Sequence, residues 1–315
     1  MKLQVMQIFP KTFLLLLATA FSLVGTTSCK KDEVQVSKTI TQTVVDGADF
    51  TLLEAAVVRA GLADALATGS LTVFAPTDAA FKAAGFADVA AINNTPVATL
   101  QAVLQYHVIG SKVTASAIAT ADNQATTMLS NQTAYITKNA TGVSINGATV
   151  TQADLLASNG VIHVIDAVLF PPTLNIVGLA SANANLTYLV AAVTRAGSGV
   201  VNALTGAGPL TVFAPTNAAF IAAGFPTIAS IQAADPATLA NILTYHVVAA
   251  RAFSSNLTNG AVLTTVQTGK VTVNITGKAV SVTGKSNGAN ASNVTIANLL
   301  ATNGVVHVID RVLLP

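Results

Sequence analysis

Three stretches of this chain recur almost unchanged. Leu71–Phe81 reads LTVFAPTDAAF and Leu210–Phe220 reads LTVFAPTNAAF. Tyr106-His107-Val108 returns as Tyr245-His246-Val247, and NGVIHVID at Asn159–Asp166 returns as NGVVHVID at Asn303–Asp310. The second copy lags by 246 − 107 = 139 residues at the central word and by 307 − 163 = 144 at the last. Solenoid repeats have periods of roughly 20–50 residues, whereas a domain typically takes about 100–150. The chain is therefore one domain written twice, and all four histidines fall inside the repeated words.

The N-terminal stretch stands outside that tandem. Lys2 and Lys11 are basic, Phe13–Val24 is apolar but short for a membrane span, and Gly25-Thr26-Thr27-Ser28 leads to the only cysteine, Cys29. This resembles a bacterial lipoprotein signal, cleaved before a cysteine whose sulfur carries lipid, although Thr26 stands where leucine is usual. Lys30-Lys31-Asp32-Glu33 resembles the acidic tag of Bacteroidetes-type surface lipoproteins. The expectation is a signal peptide at 1–28, a lipidated tether at 29–37, and a protein held on the bacterial outer membrane, facing the cell exterior.

Without Lys2 and Lys11 the basic residues number 15 − 2 = 13, equal to the 13 acidic ones. That balance excludes a nucleic-acid partner, which requires a basic face. With no second cysteine there is no disulfide framework, so the hydrophobic cores carry stability. Charged residues make up only 9%, so the surface is polar through Thr, Ser and Asn.

Each copy places helices first and strands later, an α+β pattern. Leu52, Leu53, Ala56, Val57 and Ala60 share a helical face closed by Gly61. Leu71–Phe74 reads as a strand bounded by Pro76, followed by a short helix capped by Thr77 or Asp78. Thr95-Pro96 and Asp235-Pro236 each start a helix that ends at the Tyr-His pair. Strands are expected over Gln132–Thr137, Gly142–Ile145, Ala148–Thr151 and Val161–Phe170, with Asn146-Gly147 as a hairpin turn. The extra length of the second copy falls in Gly284–Ser292. Pro171-Pro172 separates domain 1 (38–171) from domain 2 (172–315) and restricts their relative orientation.

The TVFAPT-D/N-x-A-F, Tyr-His and NGV-x-HVID words, in that order and twice over, resemble the fasciclin (FAS1) domain family. The resemblance implies two wedge-shaped β-sandwich modules of about seven strands with packed helices. It also implies adhesion or matrix interaction without catalysis. Partners would be an extracellular protein, a matrix polymer or a like module on a neighbouring cell, with the membrane engaged through the lipid anchor. The family's adhesive motifs fall at Asp154-Leu155, replaced in the second copy by Asn298-Leu299, and at Tyr106-His107 with Tyr245-His246.

Chemistry is sparse. Zinc requires three or four ligands, and each module offers two histidines distant in sequence, so no metal and no cofactor is expected. His163 and His307 lie in apolar runs and, with Asp166 and Asp310, are expected to be structural. His107 at a helix C-terminus is positioned to bond Asp78. Beside adhesion stand two alternatives, a glycan-binding accessory protein using Tyr135 or polar loops, and an enzyme with an unrecognised Asp/His site.

Overall fold

A computed structural model describes residues 38–120 and 122–315. Cys29 and the expected signal and tether lie outside the described residues. The first module opens with α1 (Ile40–Val45), α2 (Thr51–Ala60) and α3 (Ala63–Ala67), then β1 (Leu71–Pro76). Three more helices follow, α4 (Asp78–Ala83), α5 (Val89–Asn94) and α6 (Val97–Tyr106). The remaining strands are β2 (Val108–Ile109), β3 (Asp122–Thr126), β4 (Thr133–Asn139), β5 (Gly142–Ile145), β6 (Ala148–Ala157) and β7 (Gly160–Ile165). The second module repeats the plan with α7 (Ile176–Ser181), α8 (Thr187–Ala196), α9 (Ser198–Thr205), β8 (Leu210–Pro215), α10 (Asn217–Ala222), α11 (Ile228–Ala233) and α12 (Pro236–Tyr245). It ends with β9 (Val247–Val248), β10 (Val262–Thr264), β11 (Lys270–Thr276), β12 (Ala279–Gly284), β13 (Ser292–Ala301) and β14 (Gly304–Ile309).

Each module is α+β with seven strands in one mixed sheet, ordered β2-β1-β7-β6-β5-β4-β3 in the first. One pair, β1 with β7, is parallel, with Phe74 opposite His163. The long strand β6 shifts register twice between Val150 and Leu155, and such bulges bend a sheet. The bend lets the two ends meet, because Ile109 bridges Thr127 and the Met128 N–H donates to the Val108 carbonyl (2.8 Å). The expected sandwich is thus a single sheet curled on itself like a barrel, which protects its edge strands.

That curl gives each module two cores. Val73, Ile162 and Val164 face outward onto α2 and α6, against Leu53, Val57 and Leu104. Phe74, Ile165, Ile136 and Ile145 face inward and pack on Tyr106. Burial on both faces explains why β1 and β7 are buried at every position and read as apolar runs rather than as half-buried alternation.

Local chemistry set most boundaries. Gly61 takes the left-handed conformation at the end of α2, and Thr77 caps α4 through the Ala80 N–H. Asp235 caps α12 with Pro236 in the first turn. The equivalent helix of the first copy is also ten residues long and ends at the Tyr-His pair, but its proline stands one place earlier, at the N-cap position Pro96, and the Thr95 hydroxyl donates back to the Ala91 carbonyl (2.9 Å). Strand β6 runs past Thr151 to Ala157, through the bulge, and the last strand stops at Ile165 rather than Phe170.

Candidate functional site

The repeated words turn out to be joinery. The Leu169 N–H donates to His107 Nε2 (2.9 Å), so the proton sits on Nδ1, which donates to the Val103 carbonyl (2.7 Å). His246 repeats the pattern between Leu313 and Ile242. Burial pushes both imidazoles down to about 4, so they are neutral. His163 accepts the Asp154 N–H at Nδ1 (3.3 Å) and donates from Nε2 to the Val113 carbonyl (2.9 Å). His307 does the same with Asn298 and Ala252, and burial lowers its pKa. These rings lie beside Phe74 and Phe213.

Tyr106 is wholly buried. Its hydroxyl donates to the Thr133 carbonyl (2.9 Å) and accepts from Asn146 Nδ2 (2.9 Å), and burial pushes the phenol up to about 12. Tyr245 is equally buried, donating to the Lys270 carbonyl and accepting the Lys285 N–H. Tyr106, His107, Tyr245 and His246, the adhesive candidates of the central word, therefore sit in the core, where a partner cannot touch them while the module is folded. Asp78 is not the partner of His107. Its carboxylate accepts the Leu52 N–H (2.8 Å) and the Thr51 hydroxyl (2.6 Å), tying β1's turn to the start of α2. Asn217 serves α8 in the same way through the Tyr188 N–H, which is why an amide suffices there.

Asp166 and Asp310 accept the backbone N–H of Thr149 and Asn293 (both 2.7 Å). Asn159 of the last word accepts the Ile40 N–H and donates to the Leu66 carbonyl, holding α1 on the module, and Asn303 does likewise for α7. Among the described residues no three His, Cys, Asp or Glu side chains cluster as metal ligands.

Asp154 lies in the β6 bulge with φ 58°, its carboxylate accepting the Ala115 N–H (2.9 Å). Leu155 is half-buried and packs on the helix-side core. The counterpart Asn298 (φ 62°) accepts the Ser254 N–H (2.7 Å). Its amide also donates to Ser254 Oγ (2.8 Å) and to the Gly147 carbonyl of the first module (3.3 Å). A carboxylate cannot donate, so the exchange of Asp for Asn follows from a contact between modules.

That seam mixes residues that differ between copies, such as Tyr135, Asn139, Arg251, Phe253 and Asn298, with others that both copies share, such as Ser144, Ser255 and Leu300, and repetition gave no signal for it. Arg251 stacks on Tyr135 (3.9 Å to the ring centre), and Phe253 lies 6.1 Å from the same ring. Asn139 donates to the Ser255 carbonyl (2.7 Å), Ser144 to Ser255 Oγ (2.8 Å) and Asn256 to Thr137 Oγ1 (3.1 Å). Leu300 packs on the inner core of the first module. Tyr135, the free aromatic of the glycan reading, is engaged here. Beside the seam lies a crevice of about 440 Å³ lined by both modules and by the Pro171-Pro172 linker.

Two fasciclin-type modules, each a curled mixed sheet with its words buried, define the class. The fasciclin domain family matches residues 48–171 and 184–315, and the chain belongs to that family. It is 38% identical over 137 residues to Protein sll1483 of Synechocystis, covering 42% of this chain and 74% of that one. It is 30% identical over 250 residues to the transforming growth factor-beta-induced protein ig-h3 of Oryctolagus cuniculus, covering 78% of this chain but only 35% of the rabbit protein. The same-named protein of Sus scrofa is 35% identical over 124 residues, 39% of this chain and 18% of its own length. Among solved structures, the FAS1 domain pair of the insect cell adhesion molecule fasciclin I aligns over 84% of this chain and 96% of its own, at 20% identity and a TM-score of 0.42.

Proposed function

We propose that the chain is a non-catalytic adhesion protein, lipid-anchored through Cys29 on the outer face of a bacterial outer membrane. It would bind an extracellular protein, a matrix polymer or a like module on a neighbouring cell. The observation that carries this reading is the family match over both modules. Also supporting it, the His and Asp side chains of the repeated words hold backbone groups, which is the role of a scaffold. Contacts with a partner then belong to the module-specific surface, and weak contacts add when many copies are anchored together.

The test is binding of the chain, displayed on beads, to an array of glycans, matrix proteins and itself. A selective hit identifies the partner class; no binding by folded protein removes the adhesive reading. Anchoring is checked separately, because metabolic labelling with a fatty acid should be lost in Cys29→Ser.

A further inference from the structure

Each module keeps a hollow in its outer core, beneath its first helices. In the first it measures about 140 Å³ and is bordered by α1, α2 and β1. In the second it measures about 120 Å³ and is bordered by α7, α8 and β8. Equivalent side chains line both: Ile40 and Ile176, Val57 and Val193, Val73 and Val212. Protein interiors hold few voids larger than a water molecule, and an empty one destabilises its surroundings through lost contacts. Here the walls have changed between copies, from Val44 to Ala180 and from Glu54 to Val190, while the space has stayed.

The walls are apolar almost throughout. Thr41 Oγ1 donates to the Ala63 carbonyl (3.2 Å) and Thr194 Oγ1 to the Val190 carbonyl (2.9 Å). Both ring nitrogens of His107 are engaged, with Val103 and Leu169. Glu54 is the one charged side chain bordering either hollow among the described residues, and it disfavours an anion. An apolar cavity of about 150 Å³ stays dry and accepts benzene. Both hollows reach the surface. Val45 and Val58 at the rim of the first are 49% and 67% exposed, and Thr194 at the rim of the second is exposed.

We infer that each hollow is a binding site for a small uncharged hydrocarbon group, a single ring or a short aliphatic chain. A sugar or a peptide backbone would bury hydroxyls or amides there without partners. The ligand enters at the exposed rim and fills the space that the side chains leave. In the first module a chain longer than the hollow continues over Val45 and Val58. Their counterparts Ser181 and Thr194 are polar, so the second module holds the short form alone.

The test is methyl NMR of the full chain carrying Cys29→Ala, titrated with benzene and with n-hexanol. Benzene should shift Ile40, Val57 and Leu104 in the first module and Ile176, Val193 and Leu243 in the second, all of them lining residues. Benzoate, its charged analogue, should leave those signals in place. Ala180→Leu should weaken benzene about tenfold or more in the second module and leave the first unchanged, which serves as an internal control. n-Hexanol should bind the first module more tightly than the second, and whichever probe binds more tightly there identifies chain or ring. No shift, shifts away from these residues, a benzene response confined to one module, equal shifts by benzoate, or binding in the second module untouched by Ala180→Leu overturns the site. Bead adhesion does not enter this readout, so the hollows and the adhesive reading fail separately.

Discussion

A histidine that accepts a backbone N–H cannot take up a proton without breaking that bond. His107 and His246 accept from Leu169 and Leu313, and their folded pKa values of about 4 lie below the ordinary 6.5. The unfolded chain therefore binds more protons between those two values. Stability is full above about pH 6.5 and falls as pH drops toward 4, by on the order of 3 kcal/mol per histidine. Denaturant unfolding at about pH 7 and about pH 4.5 should show this loss, and the difference should shrink in His246→Gln. A pH-independent midpoint across that window would contradict the buried neutral assignment. The sequence announced these histidines through repetition, yet repetition cannot tell a core residue from a contact residue. Both are held in place, one by neighbours in the chain and the other by a partner.

At the scale of the element, the words spell out close approaches. A Cβ on Gly160 would collide with the Leu71 carbonyl oxygen of the parallel strand β1, and one on Gly304 would meet Leu210 in the same way. Gly160→Ala should thus cost several kcal/mol, of the order of 3 or more by analogy with other overpacked sites, read as a lowered melting temperature. An ordinary midpoint in that variant would show that β1 and β7 can part without penalty. The helical side is looser. Between α7, α8 and α9 lies an apolar void of about 120 Å³ bordered by Ala180 and Val193. Ala180→Leu should fill part of it and stabilise the second module by about 1 kcal/mol, and a lower midpoint would show that the void cannot take the added methylenes. Helices and their caps were legible because their signals are local, as with Thr77, Gly61 and Asp235. Strand β2 has two residues and β3 carries few apolar ones, so neither has a periodicity to read. Closure of the sheet depends on bulges in β6, whose left-handed Asp154 looks like any turn residue in the sequence.

At the scale of the whole molecule, the two modules are held by a seam in which unlike residues meet shared ones. Tyr135, Asn139 and Gly147 on one side meet Arg251, Phe253, Ser255 and Asn298 on the other. Asn298→Asp places a carboxylate against the Gly147 carbonyl, and Phe253→Ser removes the ring beside Tyr135. The double variant should keep each module folded while its two halves tumble independently by NMR relaxation; retained common tumbling would show that the linker alone fixes the geometry. The expectation of restricted orientation came from the brevity of Pro171-Pro172, but the contacts themselves were invisible, because likeness between the copies says nothing about which residues of one touch the other.

Those unlike positions also record an order. With the modules exchanged in sequence, Asn298 would face solvent and Asp154 would stand where an amide donor is required. Thr283-Gly284, extended by the Lys285–Asn287 turn that holds Val312 and Leu314, would replace the compact Asn146-Gly147 corner. The duplication has become a sentence with a direction, and neither half can be moved to the other's place.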